Sequence, residues 1–202
     1  PSLKQVNLLL ENASELRMAQ FAMGAFTGAR SGELRNAKVV DVDLEANWIH
    51  IRSRPGLETK SGEDRKVPIH SRLRKILEAY PSDKDGWFFR ALPSNRNPEG
   101  DHHINPRGLN EDLKEVFSQL DIPVGRDKGF TFHSLRRFFR TTAVNSGVPE
   151  RVVDLWIGHR DTKSMGTIYY DLSDDDSQKF IRQVQFEDES QCEDTPSSSE
   201  AD

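Results

Sequence analysis

At 202 residues, with 35% hydrophobic and 30% charged side chains, the chain is long enough for one domain with a modest core and a heavily charged surface. No run approaches the roughly 20 apolar residues needed to cross a bilayer, which excludes a membrane-spanning helix. The net charge of -5 argues at first against an anionic partner, but seven of the 33 acids fall in residues 187–202, which hold no Lys or Arg. The other 26 acids face all 28 Lys and Arg, so a basic face, and DNA, are permitted.

The chain opens on two helices over residues 3–26. Leu16, Ala19, Phe21, Ala22, Met23 and Phe26 form a wide apolar stripe that makes the second helix central. Ser14 with Glu15 marks its start and Gly28 its end, with Arg30 in the turn and a short helical piece at Ser31-Gly32-Glu33-Leu34. Trp48-Ile49-His50-Ile51 and Lys66-Val67-Pro68-Ile69 read as a small antiparallel hairpin with a third strand near Val39-Val40. Residues 53–65 form its long tip, and Pro68 suits an edge strand. Helices follow over 71–80, 107–120, 133–146, 150–156 and 175–185, with a polar loop over 93–106. The order is mainly α with a little β, an α+β class with a small sheet flanked by helices.

The ends carry different signals. Pro1-Ser2-Leu3-Lys4 has neither an initiator Met nor a secretory leader, as expected of a fragment of a longer chain. A single cysteine, Cys192, makes no internal disulfide and fits a reducing, cytoplasmic setting. Residues 187–202 read as an acidic, disordered tail, leaving 1–186 as the domain.

Four short motifs carry chemistry. In Thr27-Gly28-Ala29-Arg30-Ser31-Gly32-Glu33-Leu34, Arg30 sits at a helix junction where its fork can face a phosphate, and Glu33 can orient that fork. Alone, this also describes a helix cap with a surface Arg–Glu pair. In Phe130-Thr131-Phe132-His133-Ser134-Leu135-Arg136-Arg137, His133 and Arg136 share one helix face in the first turn, where an anion is favoured. A basic patch with one satisfied His is the alternative, and Arg137 and Arg140 point elsewhere, to a DNA backbone or to solvent. Leu155-Trp156-Ile157-Gly158-His159 puts an imidazole just past a helix end, where it can meet a phosphate oxygen or serve as a cap. Thr167-Ile168-Tyr169-Tyr170-Asp171-Leu172 offers a phenol nucleophile, although paired tyrosines are also ordinary core residues.

In order and spacing these motifs resemble the catalytic domain of the tyrosine recombinase, or phage integrase, family. That family carries an Arg in a Thr-Gly-x-Arg-x-x-Glu-Leu context, a Lys in a β-hairpin, a His-x-x-Arg helix start, a Gly-His turn and then a Tyr. The matching positions are Arg30, Lys60, His133 with Arg136, His159 and Tyr169. Lys60 lies in Glu58-Thr59-Lys60-Ser61-Gly62, followed by Arg65-Lys66-Val67-Pro68-Ile69, which is similar to the family's hairpin. The resemblance covers residues 1–186. It departs in two ways: His159 and Tyr169 are one residue further apart than is commonest, which keeps Tyr170 as a competitor, and nothing corresponds to the helical DNA-clamping domain usually found in front.

The resemblance implies a site-specific recombinase that cleaves and rejoins double-stranded DNA through a 3′-phosphotyrosine, without metal, ATP or other cofactor. Arg30 and Arg136 would hold the non-bridging oxygens. His133 would take the tyrosine proton or bond the phosphate, and His159 would add a donor. Lys60 would protonate the leaving 5′-oxygen, and Tyr169 would be the nucleophile. It also implies assembly into a tetramer on paired DNA sites. Asp174-Asp175-Asp176-Ser177-Gln178-Lys179-Phe180-Ile181-Arg182-Gln183-Val184 reads as a capped amphipathic helix with acids at its start. In the family such a helix packs into a neighbouring copy; packing on its own domain is the other option. Three other readings stay open: a DNA-binding module without chemistry, a type IB topoisomerase-like enzyme, and a metal nuclease. For the last, Asp101 with His102-His103 is the one tight cluster, read here as a solvated loop.

Overall fold

The computed structural model describes residues 1–60, 62–81, 86–91, 93, 95, 98, 100, 102–125, 129–159 and 172–186. Two helices, α1 (Leu3–Asn12) and α2 (Glu15–Thr27), are followed by the short α3 (Ser31–Asn36). A sheet of β1 (Val42–Asp43), β2 (Trp48–Ile51) and β3 (Arg65–Pro68) comes next. Then come α4 (Ser71–Ala79), α5 (Pro106–Gln119), α6 (Phe132–Asn145), α7 (Glu150–Ile157) and α8 (Asp174–Arg182). The mainly helical α+β architecture expected from the sequence is the one observed.

Helix α2 is the centre. Every residue from Ala19 to Thr27 is buried, and α1, α4 and α6 pack around it. A helix apolar on nearly all sides can only be stable when surrounded in this way. Phe26, Phe138 and Phe139 close on Phe186, with Phe139 and Phe186 stacked at 6.2 Å between ring centroids.

The sheet is antiparallel in the order β1-β2-β3, with Ile49 opposite Val42 on one side and Val67 on the other. Pro68 lies in β3 at the edge of the sheet, where its missing N–H costs no ladder bond. One strand is misplaced by the sequence. Val39-Val40 is not extended but forms a 3₁₀ turn, Val39–Asp41, and the strand starts at Val42. The cause is Asp41, which is buried. Its carboxylate accepts from the Lys38 amide at 2.9 Å, closing the turn, and pairs with Arg52 at 3.2 Å and Arg54 at 2.6 Å.

Of the two placements open to the C-terminal helix, α8 takes its own domain. Ser177 and Ile181 are buried, and Val184 just beyond the helix joins the core. Trp156 Nε1 donates to Ser177 Oγ at 3.4 Å, and Gln178 Nε2 donates to the Asn47 carbonyl at 2.9 Å. Lys66 pairs with Asp174 at 2.5 Å and lies over the Trp48 ring.

Candidate active site

Three helix ends and one hairpin meet on one side of the domain. Gly28 caps α2 in the left-handed conformation (φ 67°), which turns the chain sharply enough to present Arg30 at the start of α3. Glu33 then does what its spacing suggested. Its Oε1 accepts from Arg30 Nη1 at 2.8 Å, and its Oε2 accepts from the Arg30 amide at 2.7 Å. Burial raises the pKa of the Glu33 carboxyl, but its hydrogen bonds and charge contacts with Arg65 and then Arg30 outweigh that and leave it lowered.

Helix α6 contributes His133 from its first turn and Arg136 one turn later. Arg136 is buried, and its guanidinium donates to the carbonyls of Gly28 at 2.8 Å and Ile157 at 2.5 Å. These carbonyls lie at the ends of α2 and α7, where chain geometry leaves carbonyls without helical partners. One arginine therefore ties three helices together and aims its remaining N–H groups at the cleft. Burial, and next the charge of Arg30, lower its pKa to about 10, so it stays cationic at neutral pH. His133 is exposed. Partial burial first, then the charges of Arg136, Arg137, Arg30 and Lys60, lower its pKa and favour the neutral imidazole.

Gly158 ends α7 in the left-handed conformation (φ 63°), and the His159 amide donates to the Asp154 carbonyl at 2.9 Å, closing the turn that presents the His159 ring. Lys60 rides on the hairpin tip. The base of the tip is pinned by the Ser53 amide donating to Asp64 at 2.7 Å. Thr59 anchors Lys60 more closely: its amide donates to Ser53 Oγ at 3.2 Å and its hydroxyl to the Glu63 carbonyl at 3.0 Å.

Arg30, Lys60, His133, Arg136 and His159 line a single cleft of about 320 Å³, together with Ile157, Arg137 and Arg140. Among the described residues no acid lines it. A concave site walled by guanidinium, ammonium and imidazole groups selects an anion, and two arginine forks suit a tetrahedral phosphate. Next to it lies a larger groove of about 490 Å³ that shares Arg30 and Lys60 and continues past Arg35, His50, Arg52 and Arg54. Tyr169 and Tyr170, like Asp101 and the tail 187–202, lie outside the described residues.

The sequence reading missed two features. Arg137 and Arg140 were expected to point away, yet both line the cleft; they stand four residues after His133 and Arg136, a spacing that shares a helix face. Arg140 is itself held by Glu150 and, at 3.2 Å, by Asp154. Arg65 gave no local signal, because its partners Glu33 and Trp156 are far away in sequence. Among the described residues no group of three His, Cys, Asp or Glu is placed to hold a metal ion. His103 packs edge-on against the Trp87 ring at 5.5 Å, and no described helix is long and apolar enough to cross a membrane.

Known proteins are similar to this chain in sequence and in fold. The tyrosine recombinase XerA of Pyrococcus furiosus is 26% identical over 137 residues, covering 66% of this chain and 42% of that protein. The chain spans half or less of the length of these curated relatives. In structure it is similar to an integrase from mycobacterium phage Brujita, with a TM-score of 0.67 at 22% identity, over 92% of this chain and 57% of that one. It is also similar to a XerA recombinase crystal structure, with a TM-score of 0.62 at 26% identity, over 89% and 62% of the two chains. The model of the phage integrase family matches residues 2–176, and on that match the chain belongs to the phage integrase family.

Proposed function

We propose that residues 1–186 form the catalytic domain of a site-specific DNA recombinase that cleaves and rejoins strands through a 3′-phosphotyrosine. The observation that carries this reading is the cleft shared by Arg30, Lys60, His133, Arg136 and His159 in a chain of this family. A phosphodiester resists attack because its charge repels a nucleophile, so the first need is neutralisation at the non-bridging oxygens. Arg30 and Arg136 supply it with preorganised donors, each worth on the order of a hundred- to a thousandfold in rate.

The Tyr169 hydroxyl attacks phosphorus and its proton passes to His133, whose lowered pKa keeps it neutral and able to accept. The bond between phosphorus and the 5′-oxygen breaks, and Lys60 gives that oxygen a proton. His159 donates to the phosphate. A 5′-hydroxyl from a partner strand then reverses the step, so the bond energy is conserved and neither ATP nor metal enters. Tyr170 is the alternative nucleophile.

The substrate is double-stranded DNA in the cytoplasm. Four copies assemble on two paired sites, with Asp175, Lys179 and Arg182 on the exposed face of α8 available for contacts between copies. Relatives solved with DNA favour this partner: one is a lambda integrase dimer bound to a core site, another a transposon integrase bound to transposon-end DNA.

The test is a pool of nicked duplexes with randomised sequence, incubated with the chain in the presence of a chelator. Adducts that survive SDS are recovered and sequenced. The wild-type chain and Tyr170→Phe should form the adduct, and Tyr169→Phe should not while still binding DNA. Activity lost only in chelator would favour a metal nuclease, and DNA binding without any adduct would favour a non-catalytic module.

A further inference from the structure

Arg65 joins three of the four pieces of chain that carry the cleft's cations, the fourth being α6. Its guanidinium grips both oxygens of Glu33, Nη1 to Oε1 at 2.9 Å and Nη2 to Oε2 at 2.7 Å. Its Nε donates to the Trp156 carbonyl at 2.8 Å, in the last turn of α7 before Gly158 and His159. Arg65 also opens β3, directly after the hairpin tip that carries Lys60. Its side chain is 8% exposed and is not among those lining the cleft; its open side faces a separate pocket with His50, Arg52, Asp64 and Lys66.

The contacts of Glu33 show what this buried fork does. The same two carboxylate oxygens serve Arg65 and Arg30, and Arg30 gives Glu33 only one guanidinium nitrogen, Nη1. Without Arg65, the freed lone pairs of Glu33 would compete for the rest of the Arg30 fork and draw it off the cleft. A lysine cannot replace Arg65, because a point charge does not reproduce a planar fork that satisfies two carboxylate oxygens and a carbonyl together. The pair is also dry, with the Glu33 side chain 5% exposed, so losing one partner strands a buried charge.

We propose that Arg65 is a positioning residue for phosphate activation: through Glu33 it fixes the Arg30 guanidinium, and through the Trp156 carbonyl it fixes the turn that presents His159. This rests on the reading of the cleft as the site of the scissile phosphate. The experiment compares single-turnover adduct formation by the full chain on two versions of a duplex recovered from the random pool. One has the natural phosphodiester; the other has a neutral methylphosphonate at the scissile position, which needs less charge neutralisation.

Arg65→Lys should slow the phosphodiester about a hundredfold, the scale expected of a small misplacement. Its DNA affinity should stay within about threefold of wild type, since no substrate contact is lost. On the methylphosphonate the penalty should shrink to under about tenfold, as it should for Arg30→Ala, because the charge Arg30 neutralises is gone. An unchanged rate on the phosphodiester, or equal penalties on both substrates, overturns the proposal. If Arg65→Lys does not fold, Glu33→Gln cuts the same link with an isosteric side chain and is read by the same two criteria. A wild-type chain that forms no adduct on any duplex overturns the recombinase reading itself, which distinguishes the two failures.

Discussion

Arg136 donates to the carbonyl of Gly28 at 2.8 Å, so the residue that ends α2 also orients a guanidinium presented by α6. Gly28 is irreplaceable on two counts. Its φ of 67° is a left-handed conformation, and a Cβ there would lie 2.8 Å from Ile157 Cγ2 and 3.0 Å from Phe139 Cδ1. Gly28→Ala should cost about 3 kcal/mol, summing left-handed strain and overpacking. For a domain of this size that lowers Tm by roughly 6–12 °C. Calorimetry within about 2 °C of wild type would contradict this packing.

His133 sets a pH dependence with a definite sign. Partial burial and the surrounding cations hold its folded pKa below the ordinary 6.5. The folded state therefore resists protonation: stability from this group is complete above the unfolded value and is lost as pH falls through the lower folded one. If the neutral ring takes the tyrosine proton, the acid limb of the adduct rate follows the same folded value, below 6.5. Arg137→Gln removes one of the depressing charges and should move both the NMR titration midpoint of His133 and the acid limb upward. A midpoint that stays put, or that lies above 6.5 in the wild type, contradicts the electrostatics.

Lys60 as general acid makes a selective demand. Lys60→Ala should slow cleavage of the phosphodiester by roughly a hundred- to ten-thousandfold. With sulfur replacing the bridging 5′-oxygen, the leaving group is a stable thiolate that needs no proton, and the loss should fall to under about tenfold. A full loss on the sulfur substrate would assign Lys60 to phosphate binding instead.

How much of this was legible in the sequence depends on the range of each interaction. Helix periods, the Gly28 and Gly158 ends and the Glu33 spacing are local, and they came through to within a residue or two, except that α8 ends three residues before the expected 185. The candidate site residues were nameable because His133 and Arg136 are spaced to share one helix face, while Arg30 and Lys60 sit in motifs that resemble a known family. Arg65 was invisible because its meaning lies in Glu33 and Trp156, which only the fold brings near. The strand near Val39-Val40 failed for a related reason: two β-branched residues suggest extension, but the buried Asp41 with its partners Arg52 and Arg54 decides for a turn. The placement of α8 was undecidable because an amphipathic face states that it must be covered and not by which copy.

That last point can be measured. Ile181 is 1% exposed and packs into the core of its own domain, next to Val184 and Phe186. Ile181→Ala should cost about 2–4 kcal/mol, the usual range for emptying a buried aliphatic site. The loss should be the same at low and high protein concentration, since the covering surface belongs to the same chain. Asp174→Asn, by contrast, removes an ion pair whose two side chains are 40% and 57% exposed, and should change stability by no more than about 1 kcal/mol. A Tm that rises with protein concentration in the wild type, and loses that dependence in Ile181→Ala, would show that α8 is exchanged between copies.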